Sequence, residues 1–187
     1  MGRDKALVGL GGRPLVSRVV ERLAPQCAKM GINGPEELRE LASSLETDLI
    51  DEAPFLGMGP LAGIRAAIGW ARGTTPGASH VLIAPVDMPF LPGNLVARLS
   101  DGLGPDEAAI ATSTDGRAVP VLGLWPLGAL EPIECALREG GDLSVRRLLG
   151  RIEWRGVVFP AADLADVNDP AALAVAEARI AAAPPRP

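Results

Sequence analysis

The sequence predicts an α/β domain with a mostly parallel sheet and helices on both faces. Two observations carry this. Short apolar runs of strand length alternate with segments whose apolar residues recur every three or four positions. Several of those segments open on proline, a favoured first-turn residue. Alternation of strand and helix implies a layered domain whose strands are joined by helical crossovers.

The elements follow in order. Leu15, Val16, Val19, Val20 and Leu23 form one stripe of a first helix. Residues 28–33 read as a buried strand, and Leu38, Leu41, Ala42 and Leu45 as a second helical stripe. A short apolar segment, Leu49-Ile50, comes next. Pro60 opens a helix to Arg72, residues 80–86 form a strand, and Pro92 opens a helix over 93–103. Strands are expected over 107–112, 118–124 and 156–160, with helices over 127–139 and 144–149 between the last two. Asp169-Pro170 starts a final helix to Arg179, and residues 181–187 (AAAPPRP) are expected as a disordered tail.

The 187 residues suit one domain, expected over 1–180. With 18 Lys and Arg against 23 Asp and Glu, the net charge is −5, and no basic run of five occurs. This argues against a nucleic-acid groove. No segment reaches the roughly 20 apolar residues of a membrane span. No apolar stretch follows the charged start as in a secretory signal. A cytoplasmic protein is expected, with Cys27 and Cys135 as buried free thiols.

In open sheets of this kind, ligands bind beyond the carboxyl ends of the strands. His80–Val86 ends on Asp87, where a buried-strand carboxylate needs pairing or coordination. Such an oxygen suits Mg²⁺, which takes one or two carboxylates plus substrate phosphates; a plain turn or cap is the other reading. In LIDEAPFLGMGPLAG, Asp51 follows the short apolar segment, and Gly57, Gly59 and Gly63 flank Pro60. Those glycines allow close backbone approach to a ligand at a helix start, or simply make a turn. Asn33 either binds a polar edge or makes the turn into Gly34-Pro35. In DVNDP, Asn168 is a possible ligand, and either it or Asp169 a helix cap. Lys5 offers a compact charge suited to phosphate, or is simply a solvated N-terminal cation. His80, the one histidine, sits at a strand start and reads as structural.

Taken together, MGRDKAL, GGRPL, GPLAG, PVDMPFLP and VNDP resemble the molybdenum cofactor guanylyltransferases, over nearly the whole chain and in the same order. These are MobA-like nucleotidyltransferases with a Rossmann-like sheet. The resemblance implies transfer of GMP from GTP to the molybdopterin cofactor with release of pyrophosphate. It implies Mg²⁺ as cofactor, and GTP and molybdopterin as substrates. Molybdoenzyme maturation proteins are candidate partners, and neither nucleic acid nor membrane is. Lys5 and Asp87 would be catalytic. Lys5, Asn33, Asp51, Gly59, Pro60 and Leu61 would bind nucleotide, and Asp87 and Asn168 the metal. Asp166 departs from the Asn usual there, though it too supplies oxygen. A sister cytidylyl- or sugar-nucleotidyltransferase is an alternative.

In that family a strand and a glycine-rich loop, approximately L-A-G-G-x-S-x-R-M-G, precede the lysine. Met1-Gly2 match its last two positions. The expectation is an N-terminally truncated domain with its true start upstream of Met1. A shortened chain, or a genuine short form that binds GTP without turnover, is the alternative.

Overall fold

A computed structural model describes residues 5–182. The Met1-Gly2 match, the charged Arg3-Asp4 and tail residues 183–187 lie outside the described residues.

A short 3₁₀ turn at Lys5–Leu7 leads into a small hairpin of β1 (Gly9–Leu10) and β2 (Arg13–Pro14). Its two-residue loop, Gly11-Gly12, has φ of 56° and 74°, a mirror-image turn that glycine adopts without strain. Helix α1 (Leu15–Leu23) buries all five residues of its expected stripe. Then come β3 (Gly31–Asn33), α2 (Arg39–Ser44) and β4 (Asp48–Ile50), with β3 and β4 parallel. Helix α3 (Pro60–Thr74) crosses to β5 (His80–Ile83). After α4 (Leu95–Ser100) come β6 (Ala108–Ser113) and β7 (Ala118–Pro126). Then α5 (Leu130–Glu139), α6 (Val145–Leu149), β8 (Trp154–Phe159) and α7 (Pro170–Ala181) complete the described chain.

The larger sheet has the order β5-β7-β6-β8. Strands β6 and β8, separated by α5 and α6, run parallel. Strand β7 is antiparallel to both its neighbours. Only Thr114–Arg117 separates it from β6, too short for the crossover that a parallel pair requires. The sheet is therefore mixed within its α/β frame.

Strand β6 shows why helices cover both faces. Its Ala108 and Ile110 join one core with Leu61, Ile64 and Ile68 of α3 and Ile133 and Leu137 of α5. Its Ala109 and Ala111 join another with Val19 and Leu23 of α1 and Leu95 and Leu99 of α4. Side chains alternate along a strand, so a continuous apolar run serves both layers. Each fully buried Leu or Ile contributes about 1.5–3 kcal/mol of transfer free energy.

Some expected boundaries move. Strand β3 keeps only Gly31–Asn33 of 28–33, matching its three-residue partner β4. Strand β5 stops at Ile83 because Pro85 has no N–H for a ladder and restricts Ala84. Cys135 is exposed, not buried: it lies two residues from buried Ile133 and two from buried Leu137, on the opposite face of α5. Cys27 is half-buried, and burial pushes its thiol pKa up. His80 bonds the Glu107 carbonyl through Nε2 (3.0 Å) and the Ser79 hydroxyl through Nδ1 (2.9 Å), a structural role. No helix among the described residues is long and apolar enough to cross a membrane.

Candidate active site

The carboxyl ends of β3, β4 and β5 open on one side of the molecule. Asp87 lies four residues beyond Ile83, and its carbonyl accepts the Val167 N–H at 2.9 Å. That bond draws the loop of residues 166–169 against the end of β5. Asp169 caps α7, its Oδ1 accepting from the Ala172 N–H at 2.8 Å. The capping role thus falls to Asp169 and leaves the Asn168 amide for other partners.

Asn168 uses both ends of that amide. Its Nδ2 donates to Asp166 Oδ2 at 2.7 Å. Its Oδ1 accepts from Lys5 Nζ, which also donates to Asp87 Oδ2 at 3.2 Å. Asp166 Oδ2 in turn lies 3.8 Å from Arg117 Nη1. The side chain of Asp87 is 15% exposed and that of Lys5 46%, so the pair joins a largely covered carboxylate to a half-exposed ammonium. Asp87 and Asn168 present two hard oxygen donors to one point, at present holding an ammonium. Mg²⁺ commonly takes one or two protein oxygens and completes its shell with phosphate and water. The donor set fits that ion; no group of three or more His, Cys, Asp or Glu side chains suited to a metal occurs among the described residues.

A second constellation lies at the ends of β3 and β4. Strands β3 and β5 do not pair with each other, and a cavity of about 750 Å³ separates them. Its walls are mostly apolar, including Val20, Ile64, Val81 and Ile83, and so unsuited to a triphosphate. The lining also includes Asn33, Glu52, Gly57, Gly59 and Pro60. Asn33 Nδ2 donates to Glu52 Oε1 at 2.8 Å, while Asn33 Oδ1 is buried with no hydrogen-bond partner among the described residues. The Gly57 N–H reaches Glu52 Oε2 at 3.5 Å. Gly63 sits directly over this pair: a Cβ there would lie 2.7 Å from Asn33 Nδ2. Gly59 precedes α3 at φ 77°, which favours glycine, and exposes the first N–H groups of that helix.

The expected residues therefore divide. Lys5, Asp87 and Asn168 meet at one point; Asn33, Gly59 and Pro60 line the cavity. Asp51 is exposed, and its Oδ1 accepts from the Ala53 N–H of its own loop at 3.0 Å. Leu61 is buried among Ile64 and Ile68 in the core beneath. Glu52, next to Asp51 and not among the expected residues, lines the cavity and accepts from Asn33. The signal for it in the sequence is the Asp-Glu doublet after β4.

Farther out, Arg65 of α3 donates from Nε (2.9 Å) and Nη2 (2.8 Å) to Glu134 Oε1 of α5. The Arg65 hydrogen bonds hold the Glu134 carboxyl below its ordinary pKa, with a smaller contribution from Arg138. This clamp fixes α3, and so the Gly59–Gly63 segment, against the rest of the domain.

The family model described as the MobA-like NTP transferase domain matches residues 1–157. A molybdenum cofactor guanylyltransferase of Sinorhizobium fredii is 41% identical over 161 residues, covering 86% of this chain and 73% of that protein. One from Rhizobium meliloti is 37% identical over 187 residues, covering 95% and 85%. Among solved structures, the molybdopterin-guanine dinucleotide biosynthesis protein A of Archaeoglobus fulgidus superposes with a TM-score of 0.75 at 23% identity, covering 96% of this chain and 92% of that one. The 2-C-methyl-D-erythritol 4-phosphate cytidylyltransferase of Thermus thermophilus shares the fold at a TM-score of 0.73 and 20% identity, covering 95% and 94%.

Proposed function

The chain belongs to the MobA-like NTP transferase family, and from that premise we propose that it transfers GMP from GTP to the molybdopterin cofactor. The products are the guanine dinucleotide form of the cofactor and pyrophosphate. The observation that supports this reading most is the meeting of Lys5 with Asp87 and Asn168, 82 and 163 residues away in sequence.

A phosphate oxygen of the acceptor attacks the α-phosphorus of GTP in line, and the bond to the pyrophosphate oxygen breaks. No covalent protein intermediate is needed; catalysis rests on positioning and on charge placed where charge develops. Lys5 supplies an ammonium at the strand ends, to balance charge gathering on the departing pyrophosphate. Asp87 and Asn168 would hold Mg²⁺, which supplies Lewis-acid polarisation of phosphoryl oxygens when bound. Asp166 orients Asn168 through its hydrogen bond, so Asn168 Oδ1 faces Lys5 and Asp87. The first turn of α3, led by Gly59 and Pro60, offers N–H groups to the nucleotide. Molybdoenzyme maturation proteins as partners and a cytoplasmic place of work go with this reading.

The test is a nucleotide competition assay with Mg²⁺ on the full chain. GTP should displace a labelled guanine nucleotide, while CTP and UTP should fail at the same concentration. A preference for CTP or UTP would replace this reading with a sister nucleotidyltransferase.

A further inference from the structure

We propose that Arg117 is a positioning residue for the reaction. From the turn between β6 and β7 it fixes the loop of residues 164–168, and so holds the Asn168 amide with its oxygen toward Lys5 and Asp87. The inference rests on the guanylyl-transfer reading in one respect, that Asp87 and Asn168 are the protein ligands of the metal.

The topology brings this turn to the site. Strand β7 is antiparallel to both β5 and β6, and β8 is parallel to β6, so β5, β6 and β8 end on one edge of the sheet. Asp87 follows β5 and the Asn168 loop follows β8. The turn of residues 114–117 follows β6, on the same edge.

The turn is braced from within. Buried Ser113 donates through Oγ to Asp115 Oδ1, which also accepts the Arg117 N–H at 3.1 Å. The Gly116 N–H bonds the Ser113 carbonyl at 2.8 Å, and the Ser113 N–H bonds the Arg117 carbonyl at 2.9 Å. From this base the turn grips the segment after β8. Thr114 Oγ1 accepts the Ala161 N–H at 3.3 Å. Arg117 Nη2 donates to the Leu164 carbonyl at 3.1 Å, and its Nη1 lies 3.8 Å from Asp166 Oδ2.

The order of donors and acceptors then sets the direction of the amide. A guanidinium only donates and a carboxylate only accepts. Asp166, held toward Arg117, therefore takes the Nδ2 end of Asn168, at 2.7 Å. Asn168 Oδ1 is left for Lys5 Nζ. A reversed amide would present N–H groups to the ammonium and to any cation that replaced it. The guanidinium fork serves Leu164 and Asp166 together, a geometry that a single ammonium does not reproduce.

The chain has three asparagines and one glutamine, so its side-chain amides give few and separable NMR signals. The experiment adds Mn²⁺, a paramagnetic substitute for Mg²⁺, to the ¹⁵N-labelled full chain and follows broadening of the Asn168 amide, which Asn168→Ala identifies. It is run on the unchanged protein, Arg117→Met, Arg117→Lys and Arg98→Met. Arg98 is the control, a guanidinium that bonds the Val158 carbonyl and stacks on Phe159. Arg117→Met should need about three- to tenfold more Mn²⁺ for the same broadening, the scale of a hydrogen bond plus a partly exposed ion pair. Arg117→Lys should fall between, and Arg98→Met should match the unchanged protein. Removing a positive charge near a cation site by itself strengthens cation binding, so a weaker site reports position and not charge. Unchanged or tighter Mn²⁺ binding in both Arg117 variants, or an equal loss in Arg98→Met, overturns the inference and leaves guanylyl transfer standing. An Asn168 signal that Mn²⁺ does not broaden in the unchanged protein overturns the metal assignment and the inference with it.

Discussion

Replacing Gly63 with alanine should weaken GTP binding about tenfold to a hundredfold while barely changing the stability of the fold. The added Cβ would sit 2.7 Å from Asn33 Nδ2 and 3.4 Å from Glu52 Oε1. Real Cβ contacts essentially never fall below 3.0 Å, so the Asn33 amide must move. That movement breaks or stretches its 2.8 Å bond to Glu52. A hydrogen bond to a charged group is worth about 1.5–3 kcal/mol, and each 1.4 kcal/mol is tenfold in affinity. Against this, alanine in place of glycine stabilises a helix interior by about 0.5–1 kcal/mol. Gly69 is the internal control: it lies in the same helix, and a Cβ there meets nothing within 4 Å. Gly69→Ala should gain the helical term and keep full GTP affinity. Titration of GTP into both variants, with urea unfolding alongside, separates the two effects. GTP affinity within twofold of the unchanged protein in Gly63→Ala would refute the claim that the Asn33–Glu52 pair belongs to the nucleotide site.

Asp87→Ala should abolish Mg²⁺-dependent turnover yet cost less than about 1 kcal/mol of stability, because its Lys5 partner is largely exposed; full activity in pyrophosphate-release assays would remove the assigned metal role. Asp169→Ala should destabilise the protein by about 1 kcal/mol through loss of the α7 cap, read as a lower urea midpoint, whereas Asp169→Asn should restore most of it. Gly123→Ala should prevent folding or lower the melting temperature sharply, since its Cβ would overlap the Ala109 carbonyl of the neighbouring strand. The Glu134 carboxyl is held below its ordinary pKa by Arg65, so its contribution to stability is complete above the usual glutamate range of about 4.3 and is lost as pH falls below it. Arg65→Met should flatten that part of the stability-pH curve between pH 5 and pH 3, as followed by urea midpoints.

The parts of the fold set by local chemistry were legible from residues alone. Pro60 starts α3, Asp169-Pro170 starts α7, and the stripe Leu15, Val16, Val19, Val20 and Leu23 is buried as its spacing requires. Asp87 stood out because an acid ends an apolar strand run. What depends on tertiary context was not legible. Strand β4 is three residues long, too short to carry a pattern, and pairing with β3 is what makes it a strand. The reversal of β7 follows from a loop length whose meaning appears only once both strands share a sheet. That Glu52 lines the cavity, while the neighbouring Asp51 accepts from the Ala53 N–H of its own loop, depends on the path of one loop. Cys135 looked apolar in its setting, yet its exposure depends on which face of α5 meets the core.

The most direct test of guanylyl transfer is to supply the full chain with Mg²⁺, molybdopterin cofactor and GTP labelled at the α-phosphorus. Label should appear on the acceptor in step with pyrophosphate release, and CTP should give little of either. Pyrophosphate or phosphate release without label on the acceptor, or equal labelling from CTP, would contradict it.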